Sequence, residues 1–214
     1  MIKTALPYAV MAAVALLGLW RGAPYAVLPF LLFLASWSTV RVILTRGEDK
    51  PVAEERDRRR ERSLTTGVLI GMVLLPFVTL ATPLVDFAAY GALPGQVVAG
   101  WAVGLVGIYV FWRSHADLGK NWSPHLEVRE GHRLITGGIY ARMRHPMYTA
   151  IFLITIAQLL ILTNWIAGPA GLVTFLLLYI VRIGPEEQMM RDQFGADWDA
   201  YAARTPRLIP KLAT

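Results

Sequence analysis

Residues 131–148 combine histidine, arginine, tyrosine and glycine in a chain that is otherwise apolar, so this stretch is the first place to expect chemistry. Its backbone and charged groups would be left unsatisfied in hydrocarbon. We therefore expect the stretch to lie at the membrane–water boundary or to line a protected cavity. Such a position suits a site where a water-soluble reagent meets a lipid-soluble one.

Three of the four histidines, His125, His132 and His145, fall close together, so a metal site has to be considered. Their spacings of seven and thirteen residues lack the i, i+4 arrangement of a helical metal pair. The chain has no cysteine that could complete a ligand set. Solvated histidines at the membrane interface are the simpler explanation, and the pattern predicts no metal.

Arg182 and Glu186 form a second group that could do chemistry, because they mark the end of the last apolar stretch. Four residues apart, they would share one face of a continuous helix. Gly184 and Pro185 lie between them and predict a bend, with a separate helix over residues 185–194. An arginine at the water-facing mouth of a helical pair is a suitable clamp for a carboxylate that comes from lipid. An ordinary interfacial arginine before a helix start explains the same pattern.

Membrane helices must position these residues, as composition and arrangement both indicate. Of the 214 residues, 55% are hydrophobic and 17% are charged, against about 25% charged in soluble domains. The apolar residues stand in long blocks. The net charge of +6 comes from basic residues between those blocks, which indicates membrane topology and not nucleic-acid binding. The sequence predicts an all-α, polytopic helical bundle surrounded by membrane lipids.

About six apolar blocks are predicted, and the last two form a helical hairpin joined by Asn164 and Trp165. Gly100 and Gly104 in the fourth block allow close approach between helices. A further short helix is predicted in the tail, over residues 197–203. The blocks cover residues 6–20, 25–44, 64–84, 95–112, 147–163 and 166–183.

The basic residues also predict the orientation of the bundle. With both termini in the cytosol, every one of the 21 Lys and Arg residues except Arg21 lies on the cytosolic side. Residues 131–148 and the C-terminal tail then share the cytosolic face, and the active site is expected there.

Two motifs in the last two fifths of the chain resemble the signature of the isoprenylcysteine carboxyl methyltransferase family. The wider group includes integral-membrane phospholipid N-methyltransferases. The resemblance covers roughly residues 121–210, with departures at Ile139 and Ala150. The matching residues are Glu130-Gly131-His132, Leu134-Ile135-Thr136, Gly138, Tyr140, Arg144-His145-Pro146, Tyr148, Arg182, Glu186-Glu187, Phe194-Gly195, Tyr201, Arg204-Thr205 and Arg207-Leu208-Ile209-Pro210.

The resemblance implies an enzyme that transfers a methyl group from S-adenosylmethionine, bound outside any Rossmann domain. The implied acceptor is a carboxylate on an isoprenoid- or lipid-like molecule that arrives from the bilayer, and Arg182 would hold it. Glu186 would bind the cofactor at its cationic end. The other residues implied in cofactor binding are His125, His132, Arg133, Leu134, Ile135, Tyr140, His145, Pro146, Met147 and Tyr148.

Residues 113–214 are accordingly predicted to form the methyltransferase core, and residues 1–112 to be N-terminal transmembrane helices. Three other functions remain open. A phospholipid amine as acceptor would need deprotonation and would have less use for Arg182. A sterol-type membrane reductase would bind NADPH in a similar C-terminal bundle. A non-catalytic membrane protein would bind no S-adenosylmethionine.

Overall fold

The computed structural model describes residues 2–24, 27–44, 58–119 and 134–210. This part of the chain is helical, with an isolated antiparallel bridge between Ala89 and Asn164. The all-α prediction is therefore confirmed for the described ranges. The helices are α1 (Ile2–Trp20), α2 (Val27–Leu44), α3 (Arg58–Leu69), α4 (Leu75–Ala81), α5 (Gln96–Leu118), α6 (Pro146–Ile161), α7 (Ala167–Phe194) and α8 (Ala196–Arg204).

Among the described residues, four helical segments are long and apolar enough to cross a membrane. They are Val27–Leu44, Arg62–Ala81, Gln96–Leu118 and Ala167–Phe194. The apolar part of α1 and the whole of α6 are shorter. The chain is therefore a multi-pass membrane protein, while full crossing by six blocks stays a prediction.

Glycines let α5 approach its neighbours closely, as the sequence predicted. A Cβ atom on Gly100 would lie 2.7 Å from Cγ1 of Ile161 on α6. A Cβ atom on Gly104 would overlap the Phe33 ring of α2 and lie 3.1 Å from Cβ of Ala157. Because α2 and α6 both pack against this face, α5 is held between the N-terminal helices and the last hairpin.

A π-helical turn joins α3 to α4 and explains how a proline is accommodated inside a spanning segment. The N–H of Leu75 donates to the carbonyl of Ile70, five residues back. In a regular helix the carbonyl of Gly71 would accept from the N–H of Leu75, and in a π-helical turn from the N–H of residue 76. The N–H of Leu75 is used by Ile70 and Pro76 has no N–H, so neither residue donates to Gly71. The buried side chain of Gln158 on α6 donates to it at 2.9 Å. A neighbouring helix thus satisfies the freed carbonyl.

Helix α7 runs without interruption from Ala167 to Phe194, so the predicted separate helix over residues 185–194 is wrong. Pro185 removes one backbone donor, but the residues on both sides of it are held by side-chain contacts. Nε of Arg182 lies 3.6 Å from Oε2 of Glu186, and Nη2 of Arg144 lies 2.8 Å from Oε1 of Glu187. These contacts favour the continuous helix over a break at the proline.

The predicted hairpin is confirmed, and Asn164 holds its turn. Its Oδ1 accepts hydrogen bonds from the N–H groups of Ile166 and Ala167, at 2.9 and 2.8 Å. Its Nδ2 donates to the carbonyl of Val85 at 2.8 Å. We call this the hairpin end of the bundle. The opposite end, where α6 begins and α5 and α7 end, is the site end.

Candidate functional site

Glu186 stands at the centre of a polar cluster at the site end, where α7 meets the start of α6. The hydroxyl of Tyr148 donates to its Oε2 at 2.6 Å, and Nε of Arg182 lies 3.6 Å from the same oxygen. Nδ1 of His145 lies 3.5 Å from the other oxygen, Oε1. Since α7 is continuous, Arg182 and Glu186 do share one face of the helix.

Glu187, the next residue, faces a different set of partners and is buried. Its carboxylate accepts from Nη2 of Arg144 at 2.8 Å and from Nη2 of Arg207 at 2.6 Å. Nε2 of His145 lies 3.1 Å from its Oε1. Two guanidinium groups and an imidazole therefore converge on one carboxylate, which ties the C-terminal tail to the start of α6.

The tail is docked to the same place by backbone groups. The N–H of Arg144 donates to the carbonyl of Pro206 at 2.8 Å, and that of His145 to the carbonyl of Arg207 at 3.0 Å. Pro146 then occupies the first turn of α6, where a missing N–H costs nothing. The Arg-His-Pro sequence thus turns the chain into α6 and presents the His145 ring to both glutamates.

Charge and burial set the protonation of the groups around the cluster. Burial by itself lowers the pKa of His145, but hydrogen bonds and charge from Glu186 and Glu187 outweigh it and raise the pKa above 6.5. Burial raises the pKa of Tyr201 to about 12. The hydroxyl of Tyr201 therefore stays protonated and donates to the carbonyl of Tyr140 at 2.6 Å.

An aromatic and aliphatic wall continues from the cluster into the bundle. The Tyr148 ring packs against Phe175 and Tyr179, with ring centroids 6.0 and 5.3 Å apart. Phe152 packs edge-on against both of these α7 rings. Leu64 of α3 packs on the same group. Charged groups at the site end are thus directly followed by an apolar surface.

The structure brings together four of the residues that the sequence selected: His145, Tyr148, Arg182 and Glu186. Leu134 and Ile135 are half-buried, ahead of the short 3-10 turn that contains Tyr140. Tyr140 and Pro146 are buried, and Met147 packs on a separate cluster with Val110 and Phe111 of α5. His125, His132 and Arg133 lie outside the described residues, so their predicted roles, and the prediction of no metal, stay predictions.

Sequence reasoning gave no role to three residues that organise this site. Arg144 and Arg207 belong to the motifs, but both bind Glu187, which is 43 residues from Arg144 and 20 residues from Arg207 in the sequence. Asp117 of α5 lies outside the motifs. The available signal was a charge imbalance: two adjacent glutamates follow an apolar span and need cationic partners from elsewhere in the chain.

Fold and site together define the class of this protein: a multi-pass helical membrane protein with a carboxylate, an arginine and a tyrosine joined at one end of the bundle. Residues 101–192 match the model of the isoprenylcysteine carboxyl methyltransferase (ICMT) family. The resemblance found in the sequence is confirmed over this region.

The individual relatives of this chain carry names of two kinds. Protein-S-isoprenylcysteine O-methyltransferase B of Arabidopsis thaliana is 31% identical over 94 residues, which cover 43% of this chain and 48% of that protein. Nickel-cobalt-cadmium resistance protein NccN of Alcaligenes xylosoxydans xylosoxydans is 32% identical over 113 residues, covering 52% of this chain and 50% of that protein. The chain spans about half the length of these curated relatives.

A solved structure of the eukaryotic intramembrane Ras methyltransferase ICMT superposes with a TM-score of 0.58. It is 21% identical in sequence, and the match covers 94% of this chain and 73% of that chain. The two proteins share a fold, including the N-terminal helices that lie outside the family match.

Proposed function

We propose that this protein is an integral-membrane methyltransferase that uses S-adenosylmethionine to methylate a carboxylate on an isoprenoid- or lipid-like acceptor. One observation carries the proposal: a buried tyrosine, an arginine and an imidazole converge on Glu186 at the end of the bundle. The family match over residues 101–192 and the relatives named isoprenylcysteine O-methyltransferases support the choice of reaction.

The residues at the site end fit the proposed cofactor. S-adenosylmethionine supplies an electrophilic methyl group on a cationic sulfur. Glu186 offers a carboxylate, and the ring of Tyr148, whose hydroxyl donates to that carboxylate, packs against the ring of Tyr179; carboxylates and aromatic rings are the groups that bind such cations. Leu134, Ile135, Tyr140 and His145 would complete the pocket from the stretch before α6.

Arg182 is the residue proposed to hold the acceptor. Its guanidinium can bind a carboxylate through two parallel hydrogen bonds, and its side chain is 19% exposed. An acceptor that is already an anion needs no general base, so the main work of the protein is to align the reacting groups and exclude water. The aromatic wall below the cluster supports a lipid-soluble acceptor, because it provides an apolar approach to Arg182.

The proposed location of the site is the cytosolic membrane face. The basic residues support this orientation, since all but Arg21 would then avoid translocation. The nucleoside cofactor would come from the cytosol and the acceptor from the bilayer. The proposed partners are therefore membrane lipids and a lipophilic acceptor.

The Arg182→Ala variant tests this proposal in purified protein. We expect S-adenosylhomocysteine to bind with a Kd within about threefold of wild type, while turnover of a prenylcysteine analogue falls by about 100-fold or more, the size of a lost transition-state contact. Calorimetry measures the first quantity and methyl transfer the second. Arg191→Ala is the matched control, because Arg191 is exposed and paired with Asp199 away from Glu186.

Three outcomes would overturn the proposal in whole or in part. A wild-type protein that ignores S-adenosylhomocysteine would exclude the cofactor. Full turnover of a carboxylate acceptor by Arg182→Ala would remove the assigned role of Arg182. Methylation of a phospholipid amine, with none of the prenylcysteine analogue, would replace the acceptor class and keep the reaction.

A further inference from the structure

Asp117, near the C-terminal end of α5, makes contacts that none of the motifs accounts for. Its Oδ2 accepts a hydrogen bond from the backbone N–H of Ile139 at 2.7 Å. Nη2 of Arg113, one helical turn earlier, donates to both carboxylate oxygens, at 2.7 and 3.0 Å. The Asp117 side chain is only 15% exposed. A partly buried carboxylate therefore joins the end of α5 to the turn before α6.

The turn is shaped to fit this carboxylate. Gly138 has φ +60°, which side chains other than glycine adopt only with strain. A Cβ atom on Gly138 would overlap the carboxylate group of Asp117. Glycine is thus needed at residue 138 for two independent reasons, and one of them is the position of Asp117.

Two further contacts fix the same turn. The hydroxyl of Tyr201 on α8 donates to the carbonyl of Tyr140 at 2.6 Å. The hydroxyl of Tyr140 lies 3.5 Å from the carbonyl of Ser114 on α5. Along the chain, the turn lies between Leu134–Ile135 and the start of α6, and both of these segments belong to the proposed cofactor pocket.

We propose that Asp117 is a positioning residue for cofactor binding. Asp117 accepts the N–H of Ile139 and so holds the turn against α5. The position of the turn then sets the distance between the segment Leu134–Ile135 and the start of α6 at His145–Tyr148. This inference rests on the proposed use of S-adenosylmethionine. Binding sites need their contact residues held by such supporting hydrogen bonds, since a displacement of about 1 Å is costly.

The Asp117→Ala variant removes the acceptor of the Ile139 N–H. We expect the Kd for S-adenosylhomocysteine and the KM for S-adenosylmethionine to rise about tenfold, the equivalent of one lost buried hydrogen bond. The turnover number at saturating cofactor should stay within about twofold and the acceptor KM should not change, because no catalytic group is removed. Calorimetry and steady-state kinetics on the full-length protein provide these values.

Two conservative variants separate positioning from general destabilisation. Asp117→Asn keeps an amide oxygen that can accept from Ile139, so it should restore cofactor affinity to within about threefold of wild type. Arg113→Gln is the matched control, because it removes the ion pair and leaves the carboxylate in place. Its cofactor affinity should equal that of wild type.

Gly138→Ala tests the position of the turn without changing Asp117. The new methyl group should displace the turn and also raise the Kd for S-adenosylhomocysteine. In the Asp117→Ala/Gly138→Ala double variant the overlap with the carboxylate disappears. The two effects should therefore be less than additive.

The results distinguish this inference from the function on which it rests. Failure of the wild-type protein to bind S-adenosylhomocysteine would overturn both. Normal wild-type binding together with unchanged affinity in Asp117→Ala would overturn the positioning role alone. A lower melting temperature and lower turnover number, with the Kd unchanged in Asp117→Ala and Gly138→Ala, would show that Asp117 only stabilises the fold.

Discussion

The buried carboxylate of Glu187 contacts Arg144, His145 and Arg207. The neighbouring carboxylate of Glu186 contacts Tyr148 and Arg182. Two adjacent acidic residues on one helix thus have different partners. The first, Glu186, faces the wall of aromatic rings, and the second faces the tail. His145 touches both, so its protonation state couples the two groups.

The charge of His145 leads to a prediction about pH. Because contacts with Glu186 and Glu187 raise its pKa in the folded protein, the stability it contributes is complete below its unfolded pKa of about 6.5 and is lost as pH rises through the higher folded pKa. The melting temperature in detergent should therefore decline as pH rises from about 6.5 through the folded pKa of His145. We expect His145→Gln to show a lower melting temperature and a flatter dependence on pH there. An equally steep decline in the variant would show that another group titrates.

We expect the carboxylate of Glu187 to contribute to the stability of the fold, independently of any role in binding cofactor or acceptor. Glu187→Gln keeps the size of the side chain but leaves Arg144 and His145 beside a neutral amide. The expected result is a loss of about 3–5 kcal/mol in unfolding free energy, typical of a broken buried ion pair, measured by denaturant titration in detergent. Gln188→Glu, at an exposed neighbouring residue, should change it by less than about 0.5 kcal/mol. A Glu187→Gln protein as stable as that control would contradict the role given to the ion-pair group.

At the scale of helices, the bundle depends on polar side chains that satisfy irregular backbone. Gln158 donates to the carbonyl of Gly71 in the π-helical turn and also to that of Ala167 at the start of α7, both at 2.9 Å. It therefore links α6 to two other spanning segments in an apolar interior. A Cβ atom on Gly71 would lie 2.6 Å from the carbonyl oxygen of Ala170 on α7. The close approach of α7 to the π-helical turn therefore leaves no room for a larger residue at position 71.

Replacing Gln158 by Leu should test that link. The substitution leaves two buried carbonyl groups without their side-chain donor, and we expect a loss of about 1–3 kcal/mol in unfolding free energy. Thr174→Val is the matched control: the Thr174 hydroxyl donates to carbonyls of its own helix, which are also within reach of helical backbone donors. Equal stability of the two variants would mean that the freed carbonyl of Gly71 finds another partner.

For the whole molecule, the decisive property is which end of the bundle faces the cytosol. Arg21 is the exception to the basic bias, and it lies at the hairpin end. There its guanidinium forms an ion pair with Asp86 at 2.7 Å and donates to the carbonyls of Thr79 and Leu80. These contacts satisfy the guanidinium locally, so a single arginine on that side does not conflict with the orientation predicted from the other basic residues.

Single cysteines can test the orientation directly, because the natural chain contains none. Leu93→Cys places a thiol at an exposed residue of the hairpin end, and Gln193→Cys places one at an exposed residue of the site end. An impermeant maleimide should label the first in intact cells and the second only after the membrane is opened. The cysteine-free parent is the control. Labelling in the reverse order would place the proposed active site outside the cytosol.

Much of the architecture was predictable because the membrane-spanning segments coincide with contiguous blocks of apolar residues. The hairpin at Asn164, the close approach at Gly100 and Gly104, and the helical tail all depend on local composition, and the structure agrees with them. The error at Pro185 has the opposite origin. A local rule favoured a break, but the continuous helix brings Glu187 to Arg144, a partner that is distant in the sequence.

The sequence by itself determined the apolar membrane helices and the spacing of four residues between Arg182 and Glu186, since both depend on residues near one another in the chain. Only the tertiary structure decided that His145 bridges two glutamates, that Arg207 returns from the tail to Glu187, and that Asp117 holds the turn before α6. The physical reason is range. Ion pairs and side-chain to backbone hydrogen bonds join groups that only folding brings within about 3 Å, and no local pattern of residues specifies which partner each will meet.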